Sequence, residues 1–449
     1  MAQIAFFETT PVKKLSFAGK ISEWGTFKDS LRAPIHNWFT YPAGFSYKAV
    51  EHFLKINAIR PGQIIYDPFM GSGTTNIVAK FHGVNSYGME AHPFVFPITQ
   101  AKLNWDAQPG EANWFLAAII KKFRATQRNK NHEQLPELIG KCYEKKTLDD
   151  LVRLRDIVGD FAMPESIRGI FFVGLVALLR RVSSAATGWP YIAPNKIKTS
   201  SIGKIVIDEY EKTIINMLKD ISCVKTTAWK GYKNAVHRIF NADSRDTKAM
   251  IPSESIDGIF TSPPYLNNFD YADRTRLEMY FFKEAETWGD ITRKVRDRLI
   301  TSATTQINRA DPRYNLAPEI QKSCPEMYAQ ITDIKERLAA LRLTKGGKKS
   351  YDLMVTGYFN DMFRQLQDSY RVLKRGSCAS YVLGDSAPYG VHVPTDEILG
   401  QLAVAVGFNR YDIEILRKRG EKWKANPQRH KVPLRESIVT FYKEYQHGG

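Results

Sequence analysis

The sequence predicts an α/β fold, a doubly wound and mostly parallel sheet carrying a large helical insertion. Three observations predict it. Residues 63–90 read as strand, glycine-rich turn, helix and strand, which is the β-α-β unit of a parallel sheet. Strand-like segments return at 236–240, 256–260, 380–383 and 437–442, after a long stretch with helical periodicity alone. The first glycine turn also lies at the carboxyl end of a strand, where open α/β sheets bind their ligands.

Taken in order, residues 46–56 repeat apolar positions at helical spacing, and the turn Arg60-Pro61-Gly62 closes them off. Gln63-Ile64-Ile65-Tyr66 reads as a strand. Asp67 to Gly73 forms the glycine turn, Thr74–Phe81 the next helix, and 86–90 the next strand. From about 104 to 230 no alternating pattern persists, and helical periods recur at 114–128, 148–161, 167–181 and 205–218. A second charged, helix-rich stretch spans 284–350 and ends in Lys345-Gly346-Gly347-Lys348-Lys349, a basic loop. The expected division is therefore 1–103 and 231–283 as parts of the sheet domain, 351–449 as its C-terminal part, and 104–230 and 284–350 as insertions. No internal repeat is visible.

Composition narrows the classes of function. With 449 residues, 43% hydrophobic and 25% charged, the chain can bury a sizeable core, which excludes a disordered or collagen-like protein. Lys and Arg outnumber Asp and Glu by 64 to 47, and a net charge of +17 favours a polyanionic partner, nucleic acid first and an anionic membrane second. Four cysteines, Cys142, Cys223, Cys324 and Cys378, are spaced for neither a disulfide framework nor a zinc site, so no metal is expected and a reducing compartment fits. The first seven residues lack a secretion signal. The longest apolar run, 169–179, is too short to cross a bilayer as a helix and is followed at once by Arg180-Arg181, so membrane residence is set aside in favour of the cytoplasm.

Two constellations carry chemistry. In Asp67-Pro68-Phe69-Met70-Gly71-Ser72-Gly73-Thr74-Thr75, glycines let the backbone approach a ligand and the helix N-terminus offers free N–H groups. It is neither a phosphate-binding P-loop nor a full Gly-x-Gly-x-x-Gly fingerprint. About twenty residues on, Glu90 ends the next strand, where a carboxylate can hold both hydroxyls of a ribose; a solvated strand-end acid is the other reading. In the second constellation, the apolar strand at 256–260 runs into Ser262-Pro263-Pro264-Tyr265. Two prolines fix φ and remove two amide donors, so the turn's carbonyl oxygens face an –NH2 group without competition. An ordinary rigid loop or a polyproline-type interaction motif would look the same in isolation.

Together, the two signatures resemble the S-adenosylmethionine-dependent DNA methyltransferases that modify exocyclic amino groups, making N4-methylcytosine or N6-methyladenine. Both occur, each at its expected strand end, and the likeness covers roughly 37–93 and 236–442. It implies a seven-stranded, Rossmann-like methyltransferase sheet and S-adenosyl-L-methionine as cofactor. By that resemblance Asp67, Pro68, Phe69, Gly71, Ser72, Gly73, Thr74 and Thr75 hold the methionine end, Glu90 the ribose, and Asp243 the adenine region. Thr40 and Tyr41 sit where the family places a cofactor-flanking segment, although an N-terminal packing segment fits as well. Cofactor half before Ser-Pro-Pro-Tyr is the family's γ-type order; the interval of over 150 residues between Glu90 and Ser262 is longer than usual for it.

The resemblance makes Ser262, Pro263, Pro264 and Tyr265 the catalytic turn. Ser262 Oγ and the Pro263 carbonyl would accept the two amino hydrogens, and Tyr265 would stack on a nucleotide flipped out of the duplex. Ser262, in place of the aspartate usual in adenine enzymes, favours cytosine N4, with adenine N6 as the alternative. RNA or protein amide methylation, and a non-catalytic DNA-binding scaffold, are the other classes. Duplex DNA is the expected partner, with a cognate restriction endonuclease acting separately in a restriction–modification system. Basic clusters at 121–130, 335–349 and 417–435 are candidates for phosphate contact or plain solvated faces. Target recognition is expected in 284–350 or in the helical insertion, where 183–191 is a polar, aromatic loop.

Overall fold

A computed structural model describes residues 23–40, 44–127, 134–186, 192–419 and 432–445. Ser46 caps α1 (Tyr47–Ile56), its Oγ accepting from the Lys48 N–H. β1 (Ile64–Asp67) passes through the glycine turn into α2 (Thr74–Phe81), and β2 (Asn85–Met89) leads to α3 (Val95–Leu103). Then come α4 (Pro109–Ala125), α5 (Glu137–Cys142), α6 (Lys145–Asp160), α7 (Glu165–Val182), the hairpin β3 (Ala185–Ala186) and β4 (Ala193–Ile197), and α8 (Val206–Thr227). The sheet resumes with β5 (His237–Phe240) and β6 (Gly258–Thr261), followed by the short helices α9 (Tyr271–Arg274), α10 (Arg276–Phe281) and α11 (Trp288–Lys294). Last come α12 (Pro318–Ser323), α13 (Pro325–Thr344), α14 (Tyr351–Val372), β7 (Ser377–Gly384), α15 (Thr395–Val406), β8 (Arg410–Arg419) and β9 (Leu434–Lys443).

Seven strands form one sheet in the order β5-β2-β1-β6-β7-β9-β8. β1 with β2, β2 with β5, and β6 with β7 pair parallel, while β9 runs antiparallel to both β7 and β8. The doubly wound, mostly parallel, Rossmann-like sheet read from the sequence is therefore present. The described residues group into two compact units, one of 26–243 with 269–299 and one of 23–25 with 244–268 and 300 onward.

In the first unit, α3, α4, α6, α7 and α8 share one apolar core. The run at 169–179 is the middle of α7, and Ile170, Phe171, Val173, Leu178 and Leu179 are wholly buried in it. Gly174 lets α8 close on α7, since a Cβ there would lie 2.4 Å from Ile214 Cδ1. No helix among the described residues is long and apolar enough to cross a membrane. In the second unit, α14 is the buried spine: Gln365 and Ser369 on its sheet side bond the Tyr381 hydroxyl, each at 2.8 Å.

Three features went unread in the sequence. The hairpin β3–β4 interrupts the stretch expected to hold helices alone. α15 is apolar on nearly every side and has no polar face for periodicity to register. β8 reads as part of a basic cluster because arginine and lysine occupy its outer positions; only its ladder to β9 makes it a strand.

Candidate active site

The glycine turn is built from its first residue. Asp67 ends β1 fully buried, and its Oδ1 accepts the Phe69 N–H at 3.0 Å, reversing the chain over buried Pro68. Gly71 and Gly73 take φ of +50° and +84°, the left-handed region that glycine enters without steric cost. A Cβ on Gly73 would sit 2.6 Å from Thr99 Cγ2. α3 fastens the outer side of the turn: Thr99 Oγ1 donates to the Gly71 carbonyl at 2.6 Å, and Lys102 Nζ donates to the Ser72 carbonyl at 2.7 Å. Lys102 is wholly buried, and burial pulls its ammonium down to about 7. Ser72, Thr74 and Thr75 are buried, and Phe69 and Gly71 half-buried.

Glu90 follows β2 directly. Its carboxylate accepts the His92 N–H at 2.7 Å and also a backbone hydrogen bond from Gly71. Burial raises its pKa to about 7; the His92 and Gly71 amides oppose the rise, Asp67 adds to it, and Arg298 opposes it. From β5, Asn241 Nδ2 donates to the Glu90 carbonyl at 2.7 Å, which ties the carboxyl ends of β2 and β5 together; Asp243 lies two residues further along, half-buried.

The structure thus brings Asp67, the glycine turn and Glu90 into one cluster, with Asp243 on the neighbouring strand's loop. Thr40 is placed differently. Its carbonyl accepts from Arg274 Nη2 at 3.4 Å, and it lines a cavity of about 530 Å³ with Trp38, Arg180, Arg181 and Lys219, to which no residue of the glycine turn contributes. Tyr41, the tip of the 183–191 loop at 187–191, residues 128–130 of the first basic cluster and 420–431 of the last lie outside the described residues.

β6 is buried along its length and delivers the Ser262 turn at its carboxyl end. Ser262 Oγ donates to the Val382 carbonyl of β7 at 3.2 Å, which commits its one proton and leaves the oxygen's lone pairs as acceptors. Pro263 is buried and Pro264 half-buried. Tyr265, the ring expected to stack on a flipped base, is 3% exposed. Its ring packs against Gly384, where a Cβ would come within 3.0 Å, and the Arg419 guanidinium lies over it at 5.3 Å. The Tyr265 hydroxyl donates to Glu436 Oε1 at 3.1 Å, and Glu436 Oε2 accepts from Arg417 Nε at 2.5 Å. Tyr265 is therefore a clamped pillar, because β8 and β9, unforeseen at this position, bring arginines and a buried carboxylate to it.

Several of these groups were missed. His92 Nδ1 accepts the Phe94 N–H, so its Nε2 carries the proton and donates to Thr275 Oγ1 at 2.7 Å; burial, then Arg298, holds its pKa near 3. Asp270 caps α9, accepting the Ala272 and Asp273 N–H groups, and also accepts Arg296 Nε at 2.9 Å, while the Arg296 guanidinium lies over Trp288 at 4.0 Å. An aspartate directly before Tyr-Ala-Asp-Arg is an N-cap signal that could have found Asp270. Nothing local in the sequence marks Glu436.

Residues 19–101 match a family model described as DNA methylase, of the N6/N4 type. The chain is 24% identical to Type II methyltransferase M.BsoBI of Geobacillus stearothermophilus, across 93% of this chain and 87% of that protein. It is 22% identical to Type II methyltransferase M.AvaI of Nostoc sp., across 87% and 82%, and 21% identical to Type II methyltransferase M.MvaI of Kocuria varians, across 94% and 93%. These likenesses bear out the resemblance, read from the two motifs, to DNA amino-methyltransferases of restriction–modification systems.

Proposed function

We propose that this DNA amino-methyltransferase transfers a methyl group from S-adenosylmethionine to N4 of cytosine in duplex DNA, in the cytoplasm, beside a separate restriction endonuclease. The residues present fit the cofactor. A glycine turn with no room for a side chain at Gly73 faces no steric competition from its own Cβ atoms, and the buried Glu90 carboxylate lies one hydrogen bond from Gly71. Asp67, Gly71, Ser72, Gly73, Thr74 and Thr75 would hold the methionine end, Glu90 the ribose, and Asp243 the adenine. When bound, S-adenosylmethionine supplies an electrophilic sulfonium methyl group.

The chain's own residues handle the amino group. Its lone pair is delocalised into the base, so the enzyme must favour a pyramidal nitrogen. Ser262 Oγ and the Pro263 carbonyl accept the two amino hydrogens, and with no N–H on either proline no donor competes for that position. Positioning and electrostatics then suffice, and the proton leaves to solvent. The observation that carries this reading is the hydrogen bond from Ser262 Oγ to the Val382 carbonyl, which turns the hydroxyl into an acceptor. A neutral acceptor suits cytosine N4, whereas the adenine enzymes of this family commonly have aspartate there.

The test is product identity. The purified protein, labelled S-adenosylmethionine and unmethylated duplex DNA are incubated, the DNA is digested to nucleosides, and the product is read by mass spectrometry. N4-methylcytosine is the expected result. N6-methyladenine would overturn the base assignment, and no labelled nucleoside from a varied DNA panel, with cofactor binding intact, would overturn the DNA substrate.

A further inference from the structure

The chain from 166 to 207 contains six cations (Arg168, Arg180, Arg181, Lys196, Lys198 and Lys204) and no carboxylate. Four of the six meet at the C-terminus of α7 and the segment that follows the hairpin β3–β4. Lys198 Nζ donates to the Arg180 carbonyl at 2.5 Å and Lys204 Nζ to the Arg181 carbonyl at 3.2 Å, so both lysines cap the negative end of the helix. Capping explains those two and nothing else. Lys196 is exposed on β4, and Lys219 is exposed on α8. Lys219 and Arg181 line the cavity of about 530 Å³ that also holds Thr40, and the one carboxylate in its lining, Asp220, is taken by the Trp38 indole N–H and the Ile35 N–H, at 3.0 and 3.1 Å. Glu278 neutralises Arg180, accepting its Nε at 2.5 Å and its Nη2 at 3.0 Å, while burial and then the charges of Lys204, Arg180 and Arg181 lower the pKa of Lys198.

Beside this charge lies unusual apolar exposure. Ile197, Ile202 and Ile205 are 84%, 75% and 58% exposed along one short segment with the lysines between them. These exposed β-branched side chains, on β4 and the segment after it, take no part in the core of this unit.

We infer that β4 with the segment that follows it to Ile205, and the cavity edge formed by Arg181 and Lys219, are the surface by which this unit grips duplex DNA. Lys196 and Lys219 bind backbone phosphates, and the three isoleucines lie against the sugar edges of a groove. The occupant is a duplex because the charge complements a polyanion and the isoleucines add apolar contact that a free phosphate could not use. The inference rests on the proposal that the substrate is DNA and adds where the DNA is held.

Phosphate contact is independent of sequence, so the test does not need the recognition site. The full chain and its Lys196→Ala/Lys219→Ala variant are titrated with a duplex of arbitrary sequence at several salt concentrations, with cofactor binding measured in parallel as the check on folding. The variant is expected to bind about tenfold or more weakly, with the slope of log affinity against log salt reduced by about 2, close to 0.9 for each phosphate that a lysine no longer neutralises. Ile197→Ser is expected to weaken binding and leave the slope unchanged. A double variant that binds cofactor like the parent and matches its affinity and slope for DNA would overturn this surface while leaving the methyltransferase reading intact. A parent chain that binds no duplex at any salt concentration would overturn the DNA reading and this surface with it.

Discussion

If Glu90 holds the cofactor ribose as a carboxylate, cofactor affinity must follow its ionisation. Burial lifts the Glu90 pKa to about 7, against donation from the His92 and Gly71 amides. With a midpoint near 7, about one molecule in eleven is ionised at pH 6 and about ten in eleven at pH 8, so the dissociation constant should improve about tenfold between them. Calorimetric titration of the wild-type chain from pH 5.5 to 8.5 checks this. Glu90→Gln should bind about 10- to 150-fold more weakly at pH 8, the span of losing hydrogen bonds to a charged group, and its affinity should be flat with pH. Folding supplies an opposite slope in the same protein. A carboxyl raised above its ordinary value favours the folded state fully below about 4.5 and loses that contribution as pH rises through about 7, so the unliganded chain should lose stability over the interval in which it gains affinity. A pH-independent dissociation constant in the wild type, or a midpoint below 5, would refute the assignment.

Other predictions bear on the remaining parts of the site. Ser262→Ala should lower turnover about 5- to 150-fold by leaving an amino hydrogen without its acceptor, while cofactor affinity holds; equal losses in both, by kinetics and calorimetry, would remove Ser262 from the reaction. Gly71→Val places a branched side chain at φ +50° in the glycine turn and should abolish cofactor binding; unimpaired binding would sink the cofactor-loop assignment. Tyr265→Phe and Glu436→Ala should each lower kcat/KM, and the double variant should cost about 0.5–3 kcal/mol less than their sum, because both break one 3.1 Å hydrogen bond. Additive losses would show that the two residues act apart.

What could be read from the sequence follows from how local each signal is. The β-α-β unit was legible because its determinants are neighbours: Ser46 caps α1, two glycines shape the turn, and α2 runs from Thr74 to Phe81 as its pattern predicts. The strands β7 and β9 showed as apolar runs because both faces are covered. β8 did not, since its outer residues are charged and only pairing with β9 gives it strand character. The Tyr265 environment was illegible for the same reason: Glu436 is 171 residues away in the chain, and no spacing rule connects a proline turn with a carboxylate brought by an antiparallel strand. Thr40 could be placed only by analogy, and its bond to Arg274 spans 234 positions.

Acceptor capacity separates a carboxylate that can take a ligand from one that only holds the fold. An ionised carboxylate has about four lone-pair sites. At Asp396 all four are spent: Oδ2 accepts Arg435 Nε and Ser437 Oγ at 2.8 and 2.7 Å, and Oδ1 accepts Arg435 Nη2 and the Glu397 N–H at 3.0 and 2.9 Å. Its role is to fasten α15 to β9, and no hydroxyl could displace those partners without breaking an ion pair. Glu90 is also buried, yet its carboxylate accepts two backbone N–H groups, from His92 and Gly71. About two sites remain, the number that a vicinal diol fills with one hydrogen bond from each hydroxyl. Backbone donors also orient the group without pairing it to a cation, which is why burial still dominates its pKa. A structural salt bridge would show the reverse, a full complement of partners of which one is a cation, and Glu90 has neither.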